Sequence, residues 1–289
     1  EMQRSLVGSE MCIRDRYSVT GGVPKYIELF SESSDIYRAI QKCVLNRSGY
    51  LYDEPHFLLQ QEVSEVGSYF SIIKAIAAGN HKLSAIAAVL EVKSTNLTKY
   101  LKTLMDLDIL ERKVPVTEEN PEKSKRGLYK IKDNYLRFWF AFIYPNMSFI
   151  ESGHSGIVMD KIRKGLTTSH IGFVYEDICE ERMWELNVNN AWPFQFSKLG
   201  GYWDAKNEID IAALDPEGKN LILGECKYWK EPVGLNVLHA LETKACDVAW
   251  ERDRRKVWYV LFSISGFSDE LCAHAATRDD LLLIDDRGR

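Results

Sequence analysis

Over the first half of the chain, apolar residues recur every three to four positions, the spacing that lines one face of a helix. Gly21, Gly22 and Pro24 punctuate the start, and the pattern then predicts helices over 26–30, 36–45 and 55–66. The stretch SYFSIIKAIAAG (68–79) predicts a longer amphipathic helix closed by Gly79, and KLSAIAAVL (82–90) a shorter one. Ser94 can cap a third, STNLTKYLKTLMDL, whose Leu97, Leu101, Leu104 and Leu107 form one apolar stripe. The period then shortens. ILERKVPV and GLYKIKD predict two strands, joined by the polar loop TEENPEKSKR. The aromatic segment DNYLRFWFAFIYPNMSFI (133–150) predicts a bridging helix, and Gly153-His154-Ser155-Gly156 a hinge.

Beyond the hinge, helical and strand patterns alternate. Helices are predicted over 157–164, 171–185 and 235–250, with a short one after Ser268, and strands over 209–214, 221–228, 257–263 and 281–284. That alternation predicts an α/β domain. Three helices followed by a two-stranded hairpin are the layout of a winged helix. The expected fold class is therefore α+β and multi-domain. A helical portion (17–68) and a winged helix (69–132) lead through the bridging segment and hinge (133–156) to an α/β domain with a mixed sheet (157–289). Residues 1–16 contain SLVGSEMCIRDR, which has no helix or strand period. They read as a non-native or disordered segment outside the fold.

Composition narrows the class without naming a function. Charged residues are 27% of the chain and the net charge is −5, so no global basic charge advertises nucleic acid. A local patch is the relevant feature, and residues 91–132 supply one, with ten Lys/Arg against seven Asp/Glu. On the third helix of this block, Thr95, Asn96, Thr98, Lys99 and Lys102 fall off the leucine stripe; the loop carries Lys123, Lys125 and Arg126. Such a helix could enter a major groove while the loop touches phosphates. The alternative is a winged helix that binds protein. Six cysteines are scattered with no CxxC pair and no zinc spacing, which suits reduced thiols in a cytoplasmic protein. No apolar run reaches membrane-spanning length, so no membrane partner is expected.

The chemistry concentrates in EIDIAALDPEGKNLILGECKYWK (208–230). Two apolar strands flank the turn DPEG, yet they carry Asp210, Glu225 and Lys227, which are costly to bury alone. On a strand, Glu225 and Lys227 share a face, and the turn brings Asp210 toward them. Two converging carboxylates can share a divalent cation such as Mg²⁺ or Mn²⁺, with a lysine to neutralise phosphate or orient water. The bland alternative is a structural ion pair at a sheet edge. Trp203, Tyr228 and Trp229 flank this region and read as core or rim aromatics rather than base-stacking platforms.

D-(x14)-E-x-K across a hairpin resembles the PD-(D/E)XK nuclease superfamily, in which a preceding helix often adds an acid; FVYEDICEERMW supplies Glu176. More closely, GGVPKYI, the winged-helix block, DNYLRFWFAFIYPN, FVYEDICEE, EIDIAALD, GECKYWKEPVG and LFSISGF together resemble the C-terminal half of the archaeal-type ATPases of the AAA superfamily. The resemblance runs from about residue 17 to the end. It implies a lid remnant over 17–68 and a restriction-endonuclease-like domain over 157–289. It also implies Asp210, Glu225 and the main-chain carbonyl of Cys226 as metal ligands, Lys227 as the residue that positions water or phosphate, and Glu176 as the assisting acid. Glu176 is preferred to Asp177 on its spacing from Phe173, although it could equally be one more charge on a solvated helix face. DNA and an ATPase domain on the same polypeptide are the implied partners, with an oligomer possible. No GxxxxGK[ST] stretch occurs, so ATP binding is expected only of a domain preceding this one.

Overall fold

The computed structural model describes residues 10–33 and 35–286. Two compact units divide the chain: one takes in residues up to Arg112 together with Gly127–Ile171, the other Lys113–Arg126 together with Gly172 onward.

In the first unit the helices are α1 (Glu10–Thr20), α2 (Pro24–Ser31), α3 (Ile36–Cys43), α4 (Glu54–Glu62), α5 (Val66–Ala77), α6 (Leu83–Val89) and α7 (Ser94–Asp106). Strands β1 (Leu110–Lys113) and β2 (Leu128–Ile131) pair as a two-stranded sheet. The leucine stripe of α7 is buried at Leu97, Leu101 and Leu104. The amide of Tyr129 donates to the carbonyl of His81 (2.8 Å), which ties β2 to the turn between α5 and α6.

The aromatic segment does not form one helix. It breaks into α8 (Asn134–Phe138), a π-helical turn (Trp139–Ile143), a 3₁₀ turn at Tyr144–Asn146 and α9 (Met147–Glu151). Asp133 caps α8 by accepting the Leu136 amide (2.7 Å), and Pro145, which has no N–H to give, sits where the helical ladder changes. The wider turn lets Trp139 reach inward. Its indole N–H donates to Tyr52 O (2.9 Å) and its ring meets Phe70 edge-on. Helix α10 (Ser155–Leu166) buries Val158, Met159, Ile162 and Leu166 in this unit, so the division falls after Ile171 rather than at the Gly153–Gly156 hinge.

Helix α1 covers part of a segment whose sequence has no period. Its place is set by tertiary partners: the buried His170 imidazole bonds Ser18 O (2.6 Å) and the Asn134 amide donates to Tyr17 O (3.4 Å). Residues 1–9, the rest of that segment's first part, lie outside the described residues.

The second unit is built on a five-stranded sheet in the order β3-β4-β5-β6-β7. Its elements are α11 (Gly172–Val188), β3 (Lys198–Trp203), β4 (Glu208–Leu214), β5 (Asn220–Lys227), α12 (Leu235–Asp247), β6 (Lys256–Ser263), α13 (Asp269–Ala275) and β7 (Leu281–Asp285). The β3–β4 and β4–β5 pairs are antiparallel; β5–β6 and β6–β7 are parallel. The sheet is thus mixed, and the unit is α and β together.

Alternation along β5 sends Leu221 and Leu223 to the face covered by α12, where they join Leu238, Leu241, Ala212 and Leu261 in one apolar cluster. Burying such a leucine contributes about 1.5–3 kcal/mol. Cys226 points to the opposite face, against Cys179 of α11. The hairpin turn is held by Asp215, whose carboxylate accepts the Lys219 amide (2.9 Å) and the Asn220 side chain (2.6 Å), while Gly218 takes φ +71°.

Candidate functional site

The β4–β5 register pairs Ile211 with Gly224 and Ala212 with Leu223. The ladder ends at the Ile211–Gly224 pair, so Asp210 on β4 and Glu225 on β5 are the next residues beyond it, and both carboxylates reach the Lys227 ammonium. Gly224 makes the close strand packing possible here, because a Cβ would stand 2.5 Å from Val260 Cγ1 and 2.9 Å from Val260 O. Lys227, two residues beyond Glu225, follows on the same face.

These side chains meet. The Lys227 ammonium lies 3.5 Å from Asp210 Oδ2 and hydrogen-bonds Glu225 Oε2. The Cys226 amide donates to Asp210 Oδ2 (2.8 Å), so a side chain takes over where the strand ladder ends. The second oxygen of Asp210, Oδ1, has no hydrogen-bond partner among the described residues. The side chains of Glu225, Asp210 and Lys227 are 7%, 17% and 18% exposed, which makes the cluster costly unless its charges are balanced.

Balance comes from a residue that the sequence did not single out. Lys244 of α12 donates to Glu225 Oε1 (2.6 Å) and to Glu208 O (2.7 Å). The signal was present: Lys244 continues the stripe Val237–Leu241–Val248, where an apolar residue is expected.

Burial pushes the Asp210 carboxyl above its ordinary range and the charge of Glu225 adds to this, while Lys227, the Cys226 amide and Lys244 pull it back. Burial alone would lower Lys227, but Asp210 and Glu225 outweigh it and hold the ammonium above its usual value, so it stays charged. The Cys226 thiol is pushed far up, by burial first and by Cys179 next, which makes it an inert neighbour.

The other predicted residues are placed less closely. Glu176 is half-buried on α11, where its charge is felt at the Cys226 thiol. Its neighbours Asp177 and Glu180 pair with Lys113, at 3.0 and 3.6 Å. Thr95, Asn96, Lys99 and Lys102 are exposed on α7, and neither lysine has an ion-pair partner among the described residues. Lys125 is exposed on the β1–β2 loop. Arg126 is engaged: its guanidinium pairs with Glu118 and donates to Trp203 O (3.3 Å), while the Trp203 indole donates to Arg126 O (3.1 Å). This loop packs with the second unit, where the Val116 amide also donates to Gly201 O of β3 (3.0 Å). Tyr228 is buried against Tyr175, whereas Trp229 is exposed with its ring 5.7 Å from the Lys227 ammonium.

Among the described residues no group of three or more His, Cys, Asp or Glu side chains is placed to hold a metal ion. A cation here would rest on the two carboxylates, the Cys226 carbonyl, water and substrate. The donors are all hard oxygens, and Asp210 keeps one of them unengaged, which fits Mg²⁺ or Mn²⁺ rather than a softer ion.

Residues 139–245 match a family, DUF234, described as archaea bacterial proteins of unknown function. The matched span takes in all four charged residues of the cluster. The chain is also 37% identical over 215 residues to the uncharacterized protein MJECL04 of Methanocaldococcus jannaschii, an alignment covering 74% of this chain and 47% of that protein. The chain therefore spans about half the length of this curated relative. Among solved structures, a repair endonuclease from Pyrococcus abyssi is similar at a TM-score of 0.24 and 10% identity, over 37% of this chain and 45% of that one. So low a score leaves fold and activity to be argued from the chain's own residues. No helix among the described residues is long and apolar enough to cross a membrane.

Proposed function

We propose that the second unit carries a Mg²⁺- or Mn²⁺-dependent phosphodiester-cleaving site of the PD-(D/E)XK nuclease type, joined to a winged helix (α5–β2) that holds DNA. The observation that carries the reading is the buried meeting of Asp210, Glu225 and Lys227 on one sheet face. Asp210 and Glu225 would hold the cation, with the Cys226 carbonyl as a further oxygen. When bound, the ion would supply positive charge against the scissile phosphate and lower the pKa of a water. Lys227 would keep its proton and orient the attacking water or a phosphate oxygen. Glu176 would assist from α11. The exposed Thr95, Asn96, Lys99 and Lys102 would meet DNA, with Lys125 and Arg126 on backbone phosphate; Arg126 would have to exchange its Glu118 partner to do so.

The resemblance to archaeal-type ATPases adds two elements: α2–α4 as the end of an ATPase lid, and an ATP-binding domain elsewhere in the full protein. Cytoplasmic location and possible oligomerisation belong to the same proposal. Incubating the chain with plasmid and single-stranded DNA, with Mg²⁺ or Mn²⁺, beside Lys227→Ala tests the site. Metal-dependent cleavage lost in the variant is expected; equal products from both rule it out.

A second reading is favoured by the unpaired lysines of α7: a non-catalytic module that binds DNA or protein and regulates the ATPase. It predicts a gel shift that survives in Lys227→Ala and disappears in Lys99→Ala/Lys102→Ala, with no cleavage by either.

A further inference from the structure

We infer that Lys244 is the resident cation of this site, occupying Glu225 until a divalent ion displaces it. The inference rests on the reading of Asp210 and Glu225 as metal ligands.

Glu225 has two oxygens and both are taken by ammonium groups, Lys227 on Oε2 and Lys244 on Oε1 at 2.6 Å. Two carboxylates and two lysines make the cluster electrically neutral without an ion. A buried acid pair needs such compensation, and either a metal or an ammonium can give it. The two lysines are not equivalent. Lys227 is tied to both acids and is 18% exposed. Lys244 touches only one carboxylate, is 29% exposed, and hangs from α12 on a flexible four-carbon stem. It is the ammonium that can leave. Its second bond, to Glu208 O at 2.7 Å, spans the start of β4, so in the resting site it also holds Glu225 in place beside Asp210.

A cation that takes Glu225 Oε1 must evict Lys244, and the site's metal affinity is therefore set below what its two acids alone would give. Lys244 is in this sense a positioning residue, acting on the ion through Glu225. A merely structural lysine, cross-linking α12 to the sheet, would leave metal affinity unchanged or lower when removed.

Titrating Mn²⁺ calorimetrically into the metal-free chain separates these roles. Lys244→Met is expected to tighten Mn²⁺ binding by about tenfold or more, since one opposing charge is gone. Lys244→Arg is expected to restore the wild-type value, and Asp210→Asn to abolish binding in either background. Should Lys244→Met not fold, as a thermal melt would reveal, Lys244→Gln gives the same reading. Equal or weaker binding in Lys244→Met overturns the inference, as does tightened binding that survives Asp210→Asn, or no binding in any variant. Cleavage assayed in parallel keeps the two claims apart. Tightened binding without cleavage upholds Lys244 and removes the nuclease; cleavage with unchanged affinity does the reverse.

Discussion

Asp210 faces another buried carboxylate, and its protonation equilibrium carries the consequence. Its pKa is raised, by burial first and Glu225 second. A group raised in the folded state adds stability below its unfolded value of 3.8, and that stability is lost as pH rises through the folded value. Asp210→Asn, which cannot titrate, should therefore melt higher than the wild type at neutral pH in EDTA. The gap should narrow on acidification, which melts between pH 4 and 8 would record. A site kept less stable than it could be is what function commonly requires.

His170 gives the opposite sign. Fully buried beside Phe138 and Phe142, it donates to Ser18 O and its Nδ1 has no partner among the described residues. Burial chiefly lowers its pKa from 6.5 to about 4. A depressed histidine contributes stability that is present above 6.5 and lost as pH falls toward 4. The loss is on the order of 3 kcal/mol, at 1.36 per pKa unit. Replacing it, as in His170→Gln, should flatten the decline of the chemical-denaturation midpoint across that window. An unchanged slope would mean other groups set it.

At the scale of elements, β5 is the critical strand. It lies between β4 and β6 in the sheet, and Gly224 sits where a Cβ would strike both the side chain and the carbonyl of Val260. Gly224→Val should cost about 1–3 kcal/mol or more by overpacking. It should also displace Glu225, seen as a lower melting temperature together with lost Mn²⁺ binding. Much of this architecture was legible. Alternation placed β4, β5 and β6 within a residue or two, the turn residues placed the hairpin, and the i, i+2 rule placed Glu225 and Lys227 on one face. What escaped depends on contacts distant in sequence. Strand β3, KLGGYW, is interrupted by two glycines that hide any strand alternation, and its pairing with β4 defines it. Lys244 lies 19 residues from Glu225 and meets it only because α12 packs across the sheet. The π-helical turn at Trp139 accompanies an indole bond to Tyr52 O, 87 residues away in sequence, which no local pattern encodes.

For the molecule as a whole, two functions would be divided, DNA holding at α7 of the first unit and at Lys125 and Arg126 of the second, and chemistry at the acid–lysine cluster of the second. They should separate by mutation. Lys99→Ala/Lys102→Ala should weaken DNA binding with little sequence preference and reduce the salt dependence by about one unit of slope per lysine. Fluorescence anisotropy across a salt series would measure this, and a slope identical to wild type would remove α7 from the interface. The same pair should leave Mn²⁺ affinity untouched.

The proposed chemistry is phosphodiester cleavage by Asp210, Glu225 and Lys227 together with a divalent ion. Its most direct test is the single-turnover cleavage rate of DNA at saturating Mg²⁺ or Mn²⁺. Wild type is compared with Asp210→Asn, Glu225→Gln and Lys227→Ala, each first shown to be folded and to bind DNA. A metal-dependent rate that falls at least about 100-fold in each variant is expected. A rate that is unchanged in all three, or no metal-dependent cleavage by the wild type, contradicts it.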